Sequence, residues 1–421
     1  MMNKVGLNER QKWFVYISLF YILYQCFPLF SYYVPVTPQA VAILVSVSFA
    51  ILYPKALWTT PMCWAYVFFL VLLIYSLLGK YIHVNGVDNS TLSAYIRILV
   101  EAAWIIPSVL MGSIICISNS RRLIKSISKG TIIIILLSFL YILPLMYLYS
   151  DILRDMELVE EMGLPLGMPD YTLMHAYIFL LPGLCLGIKI SNGLHRYIYM
   201  ASVALVYYII IHTYVTTTIN IATVFIIWVL IESRKSRISL VVLIVVIFIS
   251  LFLYYSDFFL LLINWLLPYF EGTAVEPKLM DFQSSLIAGK MTGGTIIARE
   301  NLHSISRDSF LYNPIIGGEK VGGHSHVLDI LGSMGIVGFI PFFMIIWSTM
   351  KLYVAMMNTG FDRRYLYYCF GIAGTLLYLK GIFGSTGWLF MCVIAPSLVI
   401  YVSEFFHRST LSRDVKNSVF R

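Results

Sequence analysis

The chain has 421 residues, of which 59% are hydrophobic and only 12% charged, and its formal net charge is +8. A soluble domain carries about 25% charged residues, so this composition excludes an ordinary soluble protein. Apolar runs of about 20 residues recur along the whole length and predict transmembrane helices. The sequence therefore predicts one all-α, polytopic membrane domain over 1–421, with no second domain.

In chain order, the apolar runs predict about twelve helices. They cover 13–32, 37–53, 58–79, 94–117, 130–150, 171–190, 197–215, 217–232, 238–256, 326–350, 365–384 and 387–405. Basic residues precede the first run, but no small-residue cleavage site follows it, so we interpret it as an uncleaved first span. All six cysteines fall within predicted spans, and no spacing of Cys and His suits zinc.

Basic residues in the short loops set the orientation of a membrane protein. On this rule about 20 of the 29 basic residues, but only about 5 of the 21 acidic residues, lie on the side that holds the N-terminus. The net charge then splits into about +15 inside and about −7 outside. We therefore expect both termini in the cytoplasm. The excess positive charge reports topology and does not indicate nucleic-acid binding.

Two predicted outer segments are long, 151–170 and 257–325. The first is acidic, with Arg154 as its one basic residue. The second begins with an apolar piece over 258–269 that is too short to cross a bilayer, so we expect a helix in the outer interface. The rest of this segment holds Lys278, Lys290, Arg299, Arg307 and Lys320. Because positive charge there opposes the topology rule, these residues indicate a site for an anionic ligand.

Arg299 and His324 are the main candidates for that site. A guanidinium binds phosphate in a bidentate fork, and an imidazole can take or give a proton near neutral pH. The glycine pairs at 317–318 and 322–323 let the backbone pass close to a ligand and turn into the helix that starts near His326. His324 would then precede a helix N-terminus, where anionic groups are favoured.

The order of residues in this segment resembles the loop of the O-antigen polymerase and O-antigen ligase superfamily. That family has an Arg, an Asn-Pro-aliphatic-aromatic-Gly run, a His followed by Asn, Ser or Gln, nine residues, Gly, two residues and Gly. The matching residues here are Arg299, Asn313-Pro314-Ile315-Ile316-Gly317, His324-Ser325, Gly335 and Gly338. The resemblance covers 299–338 by motif and the rest of the chain by topology.

This resemblance implies a GT-C-like glycosyltransferase of the bacterial inner membrane, with its active site on the periplasmic face. Such polymerases transfer a growing glycan from undecaprenyl diphosphate to the non-reducing sugar of a lipid-linked repeat unit. By the motif, Arg299 would hold the donor diphosphate, and His324 would act on the acceptor hydroxyl or support the leaving diphosphate. The implied partners are the undecaprenyl-diphosphate-linked oligosaccharide, membrane lipid, a chain-length regulator and a flippase of the same pathway. Neither a cofactor nor a metal ion is expected to be needed, because positioning and charge stabilisation suffice for a diphosphate leaving group.

Two other functions remain as alternatives. The ligases of the superfamily, which transfer glycan to the lipid A core, share the motif but often carry an Arg after a Thr/Ser-rich step in a middle helix. The comparable stretch here, 216–220, reads Thr-Thr-Thr-Ile-Asn without an Arg, which favours a polymerase. A transporter or flippase for lipid-linked oligosaccharides is the alternative of a different class. Many transporters show two similar halves, and this sequence does not.

Four residues within or next to the second outer segment are further candidate substrate contacts. His326 is either a polar residue at a helix start or a ligand contact. Arg307 is either a second phosphate contact or a solvated charge. Lys290 and Lys320 are more simply interpreted as solvated charges than as contacts.

Residues inside or near predicted spans add two candidates, Arg97 and Lys380. Arg97 and Glu101 are four positions apart, so they can pair on one helix face; the alternative is that Arg97 contacts substrate, since charges inside a membrane commonly face a cavity. Lys380 lies near the outer end of its helix and can extend to the interface there, or act at the cavity. Gly335 and Gly338 are expected to serve close helix packing.

Overall fold

The computed structural model describes residues 7–34, 36–78, 91–148, 171–212, 216–232, 258–272, 276–288, 294–318, 320–357, 359–379 and 384–406. All regular structure in these ranges is helical. Seven of the described helices are long and apolar enough to cross a membrane, as a polytopic membrane protein requires. The all-α prediction is thus confirmed for the described ranges, whereas the count of about twelve spans and the GT-C-like fold stay predictions.

The helices are numbered here in chain order. They are α1 (Glu9–Cys26), α2 (Pro28–Tyr33), α3 (Pro38–Leu52), α4 (Thr60–Leu77), α5 (Thr91–Ser118), α6 (Arg121–Leu148), α7 (Thr172–Ile190), α8 (Leu194–His212), α9 (Thr216–Ile231), α10 (Phe258–Leu266), α11 (Glu276–Ala288), α12 (Gly294–Tyr312), α13 (His326–Ala355), α14 (Gly360–Leu379) and α15 (Gly384–Phe406). Every predicted range that falls on described residues contains a helix. The predicted helix 238–256 and the acidic segment 151–170 lie outside the described residues.

Local sequence explains where the first helices begin and end. Asn8 and Gln11 form a reciprocal capping box at the start of α1, with Gln11 N donating to Asn8 Oδ1 at 2.8 Å. The predicted helix 13–32 is divided in two at Phe27, which is extended because the following Pro28 disfavours helical backbone before it. Pro28 then occupies the first turn of α2, where its missing N–H costs nothing.

The second outer segment contains more helix than the sequence predicts. The short helix expected over 258–269 is confirmed as α10 and a 3-10 turn, Leu267–Tyr269. Two helices that the sequence does not indicate, α11 and α12, follow it. In α12 the buried side is formed by small polar residues such as Ser306, which is 1% exposed. The apolar periodicity by which helices are predicted is therefore missing there.

Helix α13 reverses direction at Gly335, where the backbone is non-helical (φ 59°, ψ −155°). In a straight helix, residues 326 and 342 would lie about 24 Å apart along the axis. The ring centroids of His326 and Phe342 are instead 5.2 Å apart. The chain thus folds back into a short arm, 326–334, and a long arm, 336–355, that meet at an acute angle. The long arm alone has about the length that a bilayer requires.

The long arm joins the apolar centre of the bundle. Phe342 packs on Phe68 of α4, with ring centroids 5.6 Å apart, and on Trp388 of α15, at 5.9 Å. A π-helical turn in α15 (Phe390–Ile394) includes Cys392, whose carbonyl accepts a hydrogen bond of 2.8 Å from the hydroxyl of Tyr353. Such contacts hold the long arm between α4 and α15, and this position fixes where the short arm lies.

Candidate active site

The reversal at Gly335 is closed by the loop that carries the Asn-Pro run. The Ile336 amide donates to the Pro314 carbonyl at 2.9 Å, and the Val337 amide donates to the Ile315 carbonyl at 3.1 Å. A broken helix exposes these amides, and unpaired backbone groups are costly in an apolar environment. The loop therefore supplies the partners that the break removes.

Two glycines allow this close contact between loop and helix. Gly335 has a positive φ, and a Cβ there would lie 2.4 Å from the Ile315 carbonyl oxygen. Gly317 also has a positive φ, of 76°, and its Cβ would lie 2.3 Å from the Ser333 carbonyl carbon. The close packing expected at Gly335 is thus present, but it joins a helix reversal to a loop rather than one helix to another.

Helix α12 packs along the short arm through hydroxyl groups and glycine. Ser306 Oγ donates to Asp329 Oδ1 at 2.6 Å and accepts from the Gly322 amide at 2.8 Å. Ser309 Oγ donates to the Gly332 carbonyl at 3.2 Å. These bonds also hold the loop 320–325 between α12 and the short arm.

Asp329 positions the residues that lead to His324. It is 6% exposed, and its Oδ1 accepts from the Gly323 amide at 3.2 Å as well as from Ser306. Its Oδ2 is buried and has no hydrogen-bond partner among the described residues. The carboxylate also interacts electrostatically with His303.

His324 and His303 form the centre of the candidate site. Their ring centroids are 5.8 Å apart, with the ring planes at 36°. The ring of Tyr378, from α14, lies 6.5 Å from that of His303. His303 Nε2 is buried and has no hydrogen-bond partner within the described part of the chain. Two imidazoles, one with an open nitrogen, are therefore brought together by the fold.

His303 was not among the candidates predicted from the sequence. The residue follows Arg299 by four positions, and α12 is helical over both. Helical spacing therefore places residues 299, 303 and 306 on one side of α12, the side that meets the short arm through Ser306. The side chain of Arg299 lies outside the described residues. If 294–312 had been predicted as a helix, the four-residue spacing from Arg299 would have indicated His303.

His324 and His326 lie where the motif predicts, on either side of a helix start. Ser325 caps the short arm, with its Oγ accepting from the Leu328 amide at 3.2 Å, so the helix begins as expected. His326 packs against Phe342 of the long arm and is directed toward the bundle interior. Its role as a ligand contact stays a prediction.

Arg307 and Lys320 are on the exposed side of this region. Arg307 lies 3.6 Å from Glu300 and 3.9 Å from Asp308, and all three side chains are more than half exposed. Lys320 is exposed, and its amide donates to Ser309 Oγ at 3.3 Å. The arrangement favours the solvated-charge interpretation for both residues.

Three further candidates cannot be placed. Lys290 and Lys380 lie outside the described residues, and so does the side chain of Arg97 in α5. Glu101, the partner proposed for Arg97, has a buried Oε2 with no hydrogen-bond partner in the described ranges. The Arg97–Glu101 pair stays a prediction.

The chemistry available at His303 and His324 is proton transfer and anion binding. A protonated imidazole donates hydrogen bonds to phosphate, and a neutral one can accept a proton from a hydroxyl. Among the described residues, no group of three His, Cys, Asp or Glu could hold a metal ion, and metal independence stays a prediction. No protein-family model matches this sequence, and no curated protein matches it.

Proposed function

We propose that this protein is a glycosyltransferase that polymerises a surface polysaccharide from lipid-linked repeat units. Two supports are the motif over 299–338, which resembles the O-antigen polymerase and ligase superfamily, and the apolar helices around it. The observation that carries the proposal is the fold-back at Gly335. It brings His324 beside His303, one helical turn from Arg299, next to an apolar bundle.

In the proposed reaction, a hydroxyl of the acceptor sugar attacks the anomeric carbon of the donor sugar. The bond between that carbon and the diphosphate oxygen breaks, and its electron pair leaves with the undecaprenyl diphosphate. His324 takes the hydroxyl proton as the new glycosidic bond forms. Arg299 and His303 bind the diphosphate and stabilise its charge.

The proposed location is the periplasmic face of a bacterial inner membrane, with both termini in the cytoplasm. It is supported by the distribution of basic residues in the sequence. A growing glycan and a new repeat unit would both arrive there on membrane lipid, with a flippase and a chain-length regulator as partners of the same pathway.

The test uses the purified full-length protein in liposomes with undecaprenyl-diphosphate-linked repeat units and no added metal or ATP. Lengthening of the glycan is followed as a ladder on a gel. We expect Arg299→Ala to lower the rate by about 10²–10³-fold, as loss of a charge-stabilising donor does. His324→Ala should lower it by about 10²–10⁴-fold, as loss of a general base does. His212→Ala is the matched control, because this half-buried His bonds the Tyr208 carbonyl of its own helix.

Each alternative has a distinct result. Both variants working at the wild-type rate, with normal membrane insertion, would remove the site assignment. Movement of the oligosaccharide across the membrane without a new glycosidic bond would indicate a transporter. Transfer of finished polymer to a lipid A core, with no lengthening of repeat units, would indicate a ligase.

A further inference from the structure

A separate cavity of about 410 Å³ lies between α6, α7, α8 and α15. It is near the end of α15 opposite Trp388, and its walls include Ile135, Phe139, Leu184 and Leu398. The volume falls within the range of roughly 300–1,000 Å³ typical of ligand pockets. By the orientation predicted from basic residues, this end faces the cytoplasm. The cavity is thus distinct from the site at His324.

The cavity has a basic rim at its cytoplasmic end. Exposed Lys125 and Lys129 precede the wall residue Ile132 by seven and three positions, so helical spacing places them along the same edge of α6. His195 lines the cavity at the start of α8, and exposed Arg196 follows it. Both helices also begin at this end, and helix N-termini favour anions.

Two buried hydroxyl groups lie within the walls. Thr131 is 5% exposed and Ser397 is 1% exposed, and both line the cavity. Thr131 Oγ1 has no hydrogen-bond partner among the described residues, whereas the Ser397 hydroxyl interacts with the hydroxyl of Tyr353. Ser128, one turn before Thr131 in α6, donates to the Ser397 carbonyl at 3.2 Å. An unpaired hydroxyl in an apolar wall is unfavourable, so an oxygen-bearing ligand would stabilise Thr131.

We propose that this cavity binds one anionic phospholipid of the cytoplasmic leaflet. Its phosphate lies at the basic rim, an ester oxygen accepts a hydrogen bond from Thr131, and one acyl chain packs along Ile135 and Phe139. Along α6, the cations come first, the hydroxyl groups next and the apolar wall last. The lipid has the same order, with the phosphate first, the ester groups next and the hydrocarbon chain last. Glu404, an acidic residue near this end, pairs with Arg121 at 3.1 Å. The proposal does not depend on the proposed glycosyltransferase activity.

The test is native mass spectrometry of delipidated full-length protein in neutral detergent, titrated with phosphatidylglycerol or with phosphatidylcholine of the same acyl chains. We expect one tightly retained phosphatidylglycerol and weak retention of phosphatidylcholine. The double change Lys125→Gln and Lys129→Gln should weaken phosphatidylglycerol binding about 25-fold, at about fivefold for each lysine. Lys55→Gln, an exposed lysine that does not line the cavity, should leave binding unchanged.

A second pair of variants tests the cavity itself. Ser202 lines it, so Ser202→Trp should fill it and abolish the retained lipid. Ala204→Trp, on an exposed position of the same helix, should retain the lipid as the wild type does. Equal binding of the two lipids, full retention by Ser202→Trp, or retention of an isoprenoid phosphate in place of phosphatidylglycerol would overturn the proposal. If Ser202→Trp does not fold, Thr131→Val replaces it, with weaker phosphatidylglycerol binding expected and unchanged binding counting against the site.

Discussion

The polar cluster at Glu232 and the histidine site at the reversal of α13 differ in how completely their polar groups are paired. Glu232 is 6% exposed. It accepts hydrogen bonds from Tyr365 at 3.1 Å and Tyr368 at 2.9 Å, and it pairs with Arg364 at 3.4 Å. At the histidine site, His303 Nε2 and Asp329 Oδ2 are buried without partners in the described ranges.

The Glu232 cluster therefore has the features of a structural cluster, whereas the histidine site has polar atoms that a ligand can bind. A buried charge must be paired to be tolerated, and at Glu232 the protein itself supplies the partners. At His303 the fold holds polar atoms in place but leaves some of them open. Strongly perturbed or incompletely paired groups are expected where a ligand completes the set.

The largest effect on stability is expected at the polar cluster around Glu232. Glu232→Ala should lower the free energy of unfolding by about 3–5 kcal/mol, because it leaves Arg364 and two tyrosine hydroxyls without their partner. Thermal unfolding in detergent measures this change. Glu9→Ala removes an exposed pair with Lys12 and should not change the unfolding temperature measurably. A Glu232→Ala protein as stable as wild type would show that the cluster is not structural.

The reversal that forms the histidine site should be the next most sensitive. Gly335→Ala places a Cβ 2.4 Å from a backbone carbonyl in a conformation open only to glycine, so we expect a loss of about 3 kcal/mol and displacement of His324. Gly371→Ala is the matched control, since nothing lies within 4 Å of its Cβ position. Unfolding temperature and glycan lengthening are the two measurements. Normal values of both in Gly335→Ala would contradict the described reversal.

Substitution of His303 should affect function more than stability. His303→Ala is expected to lower the rate of glycan lengthening by about 10²-fold while leaving the unfolding temperature close to that of wild type. His212→Ala controls for loss of an imidazole elsewhere. The opposite result, a large loss of stability with a normal rate per folded molecule, would place His303 with Glu232 as a structural residue.

The smallest effect is expected at Tyr75, whose hydroxyl bonds the loop that closes the reversal at Gly335. Tyr75 donates to the Ile316 carbonyl at 2.9 Å and lies 3.3 Å from the Met334 carbonyl. Tyr75→Phe should cost about 1 kcal/mol, as loss of one hydrogen bond does, and lower the rate modestly. Tyr147→Phe, at a tyrosine that is 88% exposed, should change neither quantity. Thermal unfolding that ranks Tyr75→Phe with Tyr147→Phe would show that this bond does not stabilise the loop.

The sequence alone was enough for the class of structure and for the helix start beside His324. Composition and the length of the apolar runs predict membrane helices, because a helix needs about 20 apolar residues to cross the hydrocarbon core of a bilayer. The motif pointed to 299–338 and to His324 beside a helix start, and Ser325 does cap that helix. These predictions rest on local properties, namely hydrophobicity, capping and residue order, which a sequence contains directly.

Only the tertiary structure shows how the residues of the motif are arranged. The nine residues between Ser325 and Gly335 form a short arm that folds back, so that His324 meets His303 from another helix. The folding-back depends on hydrogen bonds from residues 336–337 to a loop about twenty residues earlier. Helix α12 was not predicted, because its buried side carries serines that pack on glycine. It has no apolar stripe. Contacts between segments that are distant in sequence have no periodic signature, and for that reason the histidine pair emerged only from the fold.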